Sequence, residues 1–102
     1  MTNQQFENIR QWAEDRNLIE GSAPINQISK LLEELGELAT GVNKGRNDLI
    51  ADGVGDAVVV LTILSKQCGL NIEDCIELAW NEIKDRKGKM IDGIFVKEAD
   101  LR

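Results

Sequence analysis

The chain contains no histidine. That absence removes His-dependent catalytic triads, the commonest general base near neutral pH and the usual zinc sites. Any chemistry must come from carboxylates, cations and hydroxyls. Basic side chains are in deficit, with 12 Lys and Arg against 18 Asp and Glu for a net charge of −6. A duplex nucleic-acid binder needs a basic face for phosphates and is excluded on that ground. A small phosphorylated ligand is not excluded, because a bound metal reverses the local sign of charge. Long apolar runs are missing too. The longest, Ala57 to Leu64, is far short of a membrane span, so no membrane partner is expected. The N-terminus lacks the basic-then-apolar pattern of a secretory signal. Cys68 and Cys75 form neither a Cys-x-x-Cys pair nor a disulfide framework, and they read as small core hydrophobes. These features together predict a cytoplasmic protein of one domain, residues 1–102.

Proline occurs once, at Pro24, where it fits the first turn of a helix. Before it, Phe6, Ile9, Trp12 and Ala13 recur at helical spacing over Asn3 to Arg16. After it, Ile28, Leu31, Leu32, Leu35, Leu38, Ala39 and Val42 line one side of a helix reaching about Asn43. Gln27, Lys30, Glu34, Glu37 and Gly41 fall on the opposite side. Asp48 is the expected N-cap of a third helix, from Leu49 to Cys68, ended by Gly69. Its centre, Ala57 to Leu64, has strand propensity alone, but its uninterrupted length favours a buried helix. A fourth helix is expected from a cap at Asn71 to Arg86, with Ile72, Cys75, Ile76, Ala79 and Ile83 facing inward. Asp92-Gly93 between short apolar runs signals a β-hairpin. The expected fold is all-α, a four-helix bundle with a short C-terminal tail carrying a small hairpin.

The acids are unevenly placed. Lys30-Leu-Leu-Glu-Glu-Leu-Gly-Glu-Leu-Ala39 puts Glu33, Glu34 and Glu37 within one helical turn, and Asp52-Gly-Val-Gly-Asp56 opens the next helix. Like charges at helical spacing destabilise by a few tenths of a kcal/mol per pair. A divalent cation between the two helices would offset that cost. Glu34 and Glu37 project about 60° apart and Asp52 and Asp56 about 40° apart. Magnesium suits such oxygen donors and keeps some of its waters. A solvated acidic face is the plainer reading, and Asp52 also favours a helix N-terminus. Against it, the helix from Ala57 to Leu64 is apolar apart from Thr62.

These motifs resemble the MazG-like family of all-α nucleoside triphosphate pyrophosphohydrolases, in its short phage-type branch. Glu33-Glu34-Leu-Gly-Glu37 matches the family's Glu-Glu-x-x-Glu. Ile50-Ala-Asp-Gly-Val-Gly-Asp56 matches its Glu-x-x-Asp in part, and Asn81-Glu-Ile-Lys84-Asp-Arg86-Lys87 resembles its third element. The resemblance covers roughly residues 24–90. It implies Mg²⁺, with Mn²⁺ as a substitute, held by Glu34, Glu37 and Asp56. Gly53 stands where the family has Glu, so either Asp52 or water takes that ligand's place. On the same resemblance Glu33 orients a ligand or the attacking water. Lys30, Asn81, Lys84 and Arg86 are candidates to contact the substrate, although each also reads as a surface polar or helix-end residue. Trp12 could stack on a base or anchor a core or an interface, and the same holds for Trp80.

The expected activity is Mg²⁺-dependent hydrolysis of (deoxy)nucleoside triphosphates to monophosphate and pyrophosphate. Phosphoribosyl-ATP pyrophosphatase fits less well, since that family's acidic second motif and following His are absent. The alternative from another class is a catalytically weakened nucleotide-binding or regulatory protein on the same scaffold, favoured by Gly53. Restoring Glu at position 53 is expected to tighten the metal and add about 0.5–1 kcal/mol of helix propensity. The apolar circumference of the third helix exceeds what a thin bundle covers and predicts a homodimer or a dimer of dimers.

Overall fold

A computed structural model describes residues 3–101. Its helices are α1 (Asn3–Asp15), α2 (Pro24–Lys44), α3 (Asn47–Gln67) and α4 (Ile72–Ile83). Strands β1 (Gly88–Ile91) and β2 (Ile94–Lys97) and a 3-10 turn, Glu98–Asp100, follow. The all-α fold with a terminal hairpin is the one the sequence predicts. Antiparallel α2 and α3 make the main contact, and α1 and α4 pack against α3.

Two helix ends and one cysteine differ from expectation. The N-cap of α3 is Arg46, so Asp48 lies inside the first turn. There Arg46 Nη2 donates to its carboxylate at 2.6 Å, and this hydrogen bond holds the carboxyl below its usual range. The guanidinium thus engages the acid that would otherwise cap the helix. Helix α4 stops at Ile83 rather than Arg86. Cys68 is exposed at the C-cap of α3, not in the core, and only Cys75 is partly covered.

Helix α2 turns its polar side to α3. Gln27, Glu34 and Gly41, spaced by seven, are its buried residues, with half-buried Leu31 and Leu38 between them. This is a heptad seam built largely without apolar side chains. It closes because the helices approach at glycines. A β-carbon on Gly41 would lie 2.9 Å from Leu49 Cβ, and one on Gly53 would lie 3.1 Å from Leu38 Cβ. The apolar stripe of α2 stays open, with Leu32 64% exposed and Ile28, Leu35 and Val42 also exposed.

The core is correspondingly thin. Phe6, Ala13, Val60, Ile63 and Ile72 are its buried apolar residues. Of the inward set expected on α4, only Ile72 is buried, while Ile76, Ala79 and Ile83 are exposed, because α4 meets α3 and α1 only near its start. Arg10, 6% exposed, holds α1 to α4. Its Nη1 and Nη2 donate to Glu73 at 2.6 and 2.7 Å, and Nη2 also reaches Glu7 at 2.9 Å. Arg10 lies between Phe6 and Ala13 on the covered face of α1, a position sequence reading left out. The hydrogen bonds from Arg10 pull the Glu73 carboxyl down to about 2.

The tail forms the hairpin through an Asp92-Gly93 turn with φ of 51° and 80°, as type I′ geometry requires. Met90 pairs with Phe95 and Ile91 with Ile94. The radius of gyration is 16.3 Å, against about 13 Å for a compact domain of this length. No helix among the described residues is long and apolar enough to cross a membrane.

Two outcomes are expected. Gly41→Ala should lower stability to chemical denaturation by about 1–3 kcal/mol through overpacking, outweighing its better helix propensity. Gly53→Glu should also destabilise, reversing the expectation drawn from the sequence, because position 53 faces Leu38. Unchanged denaturation midpoints would refute this account of the seam. For the Arg10 clamp, Glu73 has a folded pKa of about 2 against 4.5 ordinarily. The unfolded chain is protonated first, so the clamp's contribution is full above pH 4.5 and is lost as pH falls towards 2. Thermal melts should show wild type losing stability faster than Glu73→Gln over that window. Parallel curves would contradict it.

Candidate functional site

Antiparallel register brings Glu34 opposite Asp56, between the Leu38–Gly53 contact and the apolar floor of Val60 and Ile63. Glu34 is 5% exposed. Its Oε1 receives Lys30 Nζ at 3.2 Å from one helical turn earlier, while its Oε2 is buried without a hydrogen-bond partner. A buried carboxylate oxygen left unpaired is costly, and it marks a place for a cation or a donor. Asp56, half-buried, has its carboxyl pushed up by burial, then by the charges of Asp52 and Glu34. Glu37 is pushed up mainly by the charge of Glu34, then by burial and Glu33. Lys30, drawn to Glu34 and Glu33, is pushed up in turn.

The remaining acids stand around this pair. Glu33 is exposed, 3.6 Å from Lys30 Nζ. Glu37 and Asp52 are exposed on α2 and α3. Among the described residues no three acidic or cysteine side chains are gathered closely enough to hold a metal as they stand. The fit to a cation therefore rests on the Glu34–Asp56 pair and the orphaned oxygen, and Glu37 or Asp52 would have to turn inward. These are hard oxygen donors, suited to Mg²⁺ or Mn²⁺. The family's extra acid would be crowded here, because a β-carbon on Gly53 would lie 3.1 Å from Leu38 Cβ.

Trp12 is brought to the acids. It lines a hollow of about 460 Å³ with Asn8, Ile9, Val59 and Asp56. With Leu18, Gln27, Lys30, Val59, Val60 and Ile63 it also lines a second hollow of about 310 Å³. Trp12 and Val59 belong to both, so the two hollows adjoin at these residues, one reaching Asp56 and the other Lys30. The Arg16 guanidinium lies 4.4 Å from the Trp12 ring centroid and keeps the half-exposed indole in place. The hollows are apolar in their walls and polar at Asn8 and Gln27. Sequence reading missed both residues, although Gln27 stands one heptad before Glu34.

The candidates on and after α4 are elsewhere. Asn81 and Lys84 are exposed at the end of α4, and Arg86 pairs with Glu82 at 3.3 Å. None of them lines either hollow at Trp12, since α4 packs against α3 and α1. Trp80 is exposed as well, which removes its core reading.

Comparison with known proteins places the chain in a family. The family model described as "MazG nucleotide pyrophosphohydrolase domain" matches residues 23–91, the span from α2 to β1. A relative in Haemophilus phage HP1, an "uncharacterized 18.2 kDa protein in rep-hol intergenic region", is 56% identical over 64 residues. That match covers 63% of this chain and 39% of the phage protein, so the chain spans about two fifths of its relative's length. No solved structure matches significantly.

Proposed function

The chain belongs to the MazG nucleotide pyrophosphohydrolase family, and we propose that it hydrolyses (deoxy)nucleoside triphosphates to monophosphate and pyrophosphate. The observation that carries this reading is the buried, unpartnered oxygen of Glu34 beside Asp56, next to a groove walled by Trp12. Acids so placed repel a triphosphate unless a cation joins them. Glu34 and Asp56, with Glu37 and Asp52 turning inward, would hold Mg²⁺ or Mn²⁺. When bound, such a cation supplies charge neutralisation and Lewis-acid polarisation at the phosphates.

The chain's own residues do the rest by position and charge, which is most of what phosphoryl transfer asks of a protein. Trp12 stacks the base, Asn8 and Gln27 meet its polar edge, and Lys30 faces the phosphates. Glu33 orients a water whose oxygen attacks the α-phosphorus as the bond to the bridging oxygen breaks and pyrophosphate leaves. The setting is cytoplasmic, and the enzyme acts in nucleotide-pool housecleaning. Gly53 supports a second reading, a nucleotide-binding protein of weakened catalysis, because a family ligand position is crowded by Leu38.

Pyrophosphate release over the eight common NTPs and dNTPs with Mg²⁺ or Mn²⁺ tests the proposal. Glu34→Gln and Glu37→Gln should each cost at least 10–100-fold, roughly the loss expected for even an indirect metal partner. Both variants should stay folded, and only the parent should gain melting temperature on adding Mn²⁺. Full turnover in both variants would sink the assignment, whereas nucleotide binding without pyrophosphate release selects the second reading.

The active form is a homodimer or a dimer of dimers. By helical spacing, exposed Ile28, Leu32, Leu35 and Val42 on α2 lie on the same flank as exposed Val54 and Leu61 on α3. Glu37, Lys30 and Asp52 are on the other. That continuous strip is large for so small a monomer. Sedimentation at micromolar concentration should therefore find no 11.4 kDa species, and a monomer alone would refute the assembly.

A further inference from the structure

Among the described residues the C-terminal hairpin makes its main contacts within itself. Its packing partners are its own strands and the 3-10 turn that follows, with the base closed by Glu98 N–H donating to Lys87 O at 2.8 Å. Paired residues of an antiparallel ribbon share a face. One face therefore carries Ile91 and Ile94 and the other Met90 and Phe95. All four are exposed, Ile94 by 67%. A lone two-stranded ribbon is marginal in water, and this one offers apolar side chains on both sides.

The same segment is the one with an excess of cations. Residues 84–97 hold Lys84, Arg86, Lys87, Lys89 and Lys97 against Asp85 and Asp92, a net +3 in a chain of net −6, leaving −9 on the remainder. Arg86 and Lys97 have acidic partners within the segment's own surroundings. Lys84, Lys87 and Lys89 have no ion pair among the described residues. The carboxylate site shows the converse deficit. Lys30 is the one cation paired with its acids among the described residues, where five acids and a triphosphate must be accommodated. The arm does not fold back onto α2 or α3 to supply more.

We propose that the hairpin is an arm received by a second copy of this chain, bringing Lys87 and Lys89 to that copy's carboxylate cluster. Each site is then completed in trans. Charge complementarity selects a second copy as the occupant, since the acidic body of this chain lacks what its basic arm carries. A mutual exchange also closes as a two-fold dimer and leaves no arm unpaired. The proposal rests on the pyrophosphohydrolase reading for the purpose of the lysines, but not for the path of the arm.

The test is zero-length carboxyl-to-amine cross-linking of full-length chains, unlabelled and ¹⁵N-labelled, co-refolded in equal amounts. Peptides joining Lys87 or Lys89 to Glu33, Glu37 or Asp52 should appear as mixed-isotope pairs as abundant as both single-isotope pairs together. Single-isotope links alone would show the arm folding back on its own chain. Absence of arm-to-cluster links while other lysines react would equally overturn the proposal. In the active protein, the Lys87→Gln, Lys89→Gln double variant should lose roughly 100-fold in pyrophosphate release, as for removed charge-stabilising groups. Co-refolding it with Glu34→Gln, itself inactive, should restore turnover, because one of the two mixed sites then has both parts. Failure to restore turnover would refute delivery in trans. A wild type that releases no pyrophosphate yet gives mixed-isotope links would remove the catalytic reading and keep the arm.

Discussion

Everything in this chain is arranged around the close approach of α2 to α3. Two helices meet along a seam where glycine faces leucine at each of two levels, and the space so saved brings a glutamate and an aspartate face to face between them. A wider seam filled with leucines would bury more apolar surface and hold the hairpin more firmly. It would also push Glu34 and Asp56 apart. The helices trade hydrophobic contact for proximity of charge, and the orphaned Glu34 oxygen is the visible cost. Sites on rigid helices are held more accurately than sites on loops, so a cost of this kind fits function better than accident.

Much of this was legible beforehand. The helices follow from periodicity, Pro24 and the glycine at position 69, and the hairpin from Asp92-Gly93. The carboxylate cluster follows from its spacing, and Trp12 was named as a candidate that the fold does carry to the acids. The seam itself was not legible. Periodicity says that α2 has two unlike sides, but not which one a neighbour covers, and the apolar side is the natural guess for the inner one. Here it is the outer one, because the buried side is set by what Gly41 and Gly53 permit. Arg10 escaped notice for a related reason. An arginine on an apolar helix face is explained only by an acid 63 residues away, and no local pattern announces such a partner. The end of α4 differs by three residues and the cap of α3 by two, the latter where an arginine grips Asp48.

Uneven distribution of charge and of apolar surface extends the same logic to the whole molecule. One flank of the α2–α3 hairpin is acidic and grooved, the other apolar and bare, and the basic residues gather at the far end of the chain. A monomer with five buried apolar residues among those described has little to offset the conformational entropy of ordering this many residues. Its stability as a lone chain is therefore inseparable from what covers the bare flank.

Position 53 shows how packing and chemistry compete at one residue. A carboxylate there would add a ligand to the cation site and improve the helix, and on local grounds glycine is the poorer choice. Its neighbour across the seam is Leu38, whose Cβ would lie 3.1 Å from a β-carbon at 53, so a side chain there presses on the close approach that holds Glu34 beside Asp56. The missing ligand and the short seam are thus one feature. A site built this way relies on Glu34 and Asp56 for its fixed part, and on exposed, adjustable groups, Glu37 and Asp52, for the rest. Under the proposed reading, such a site would complete its coordination only as the ligand arrives, with buried Glu34 as its fixed point.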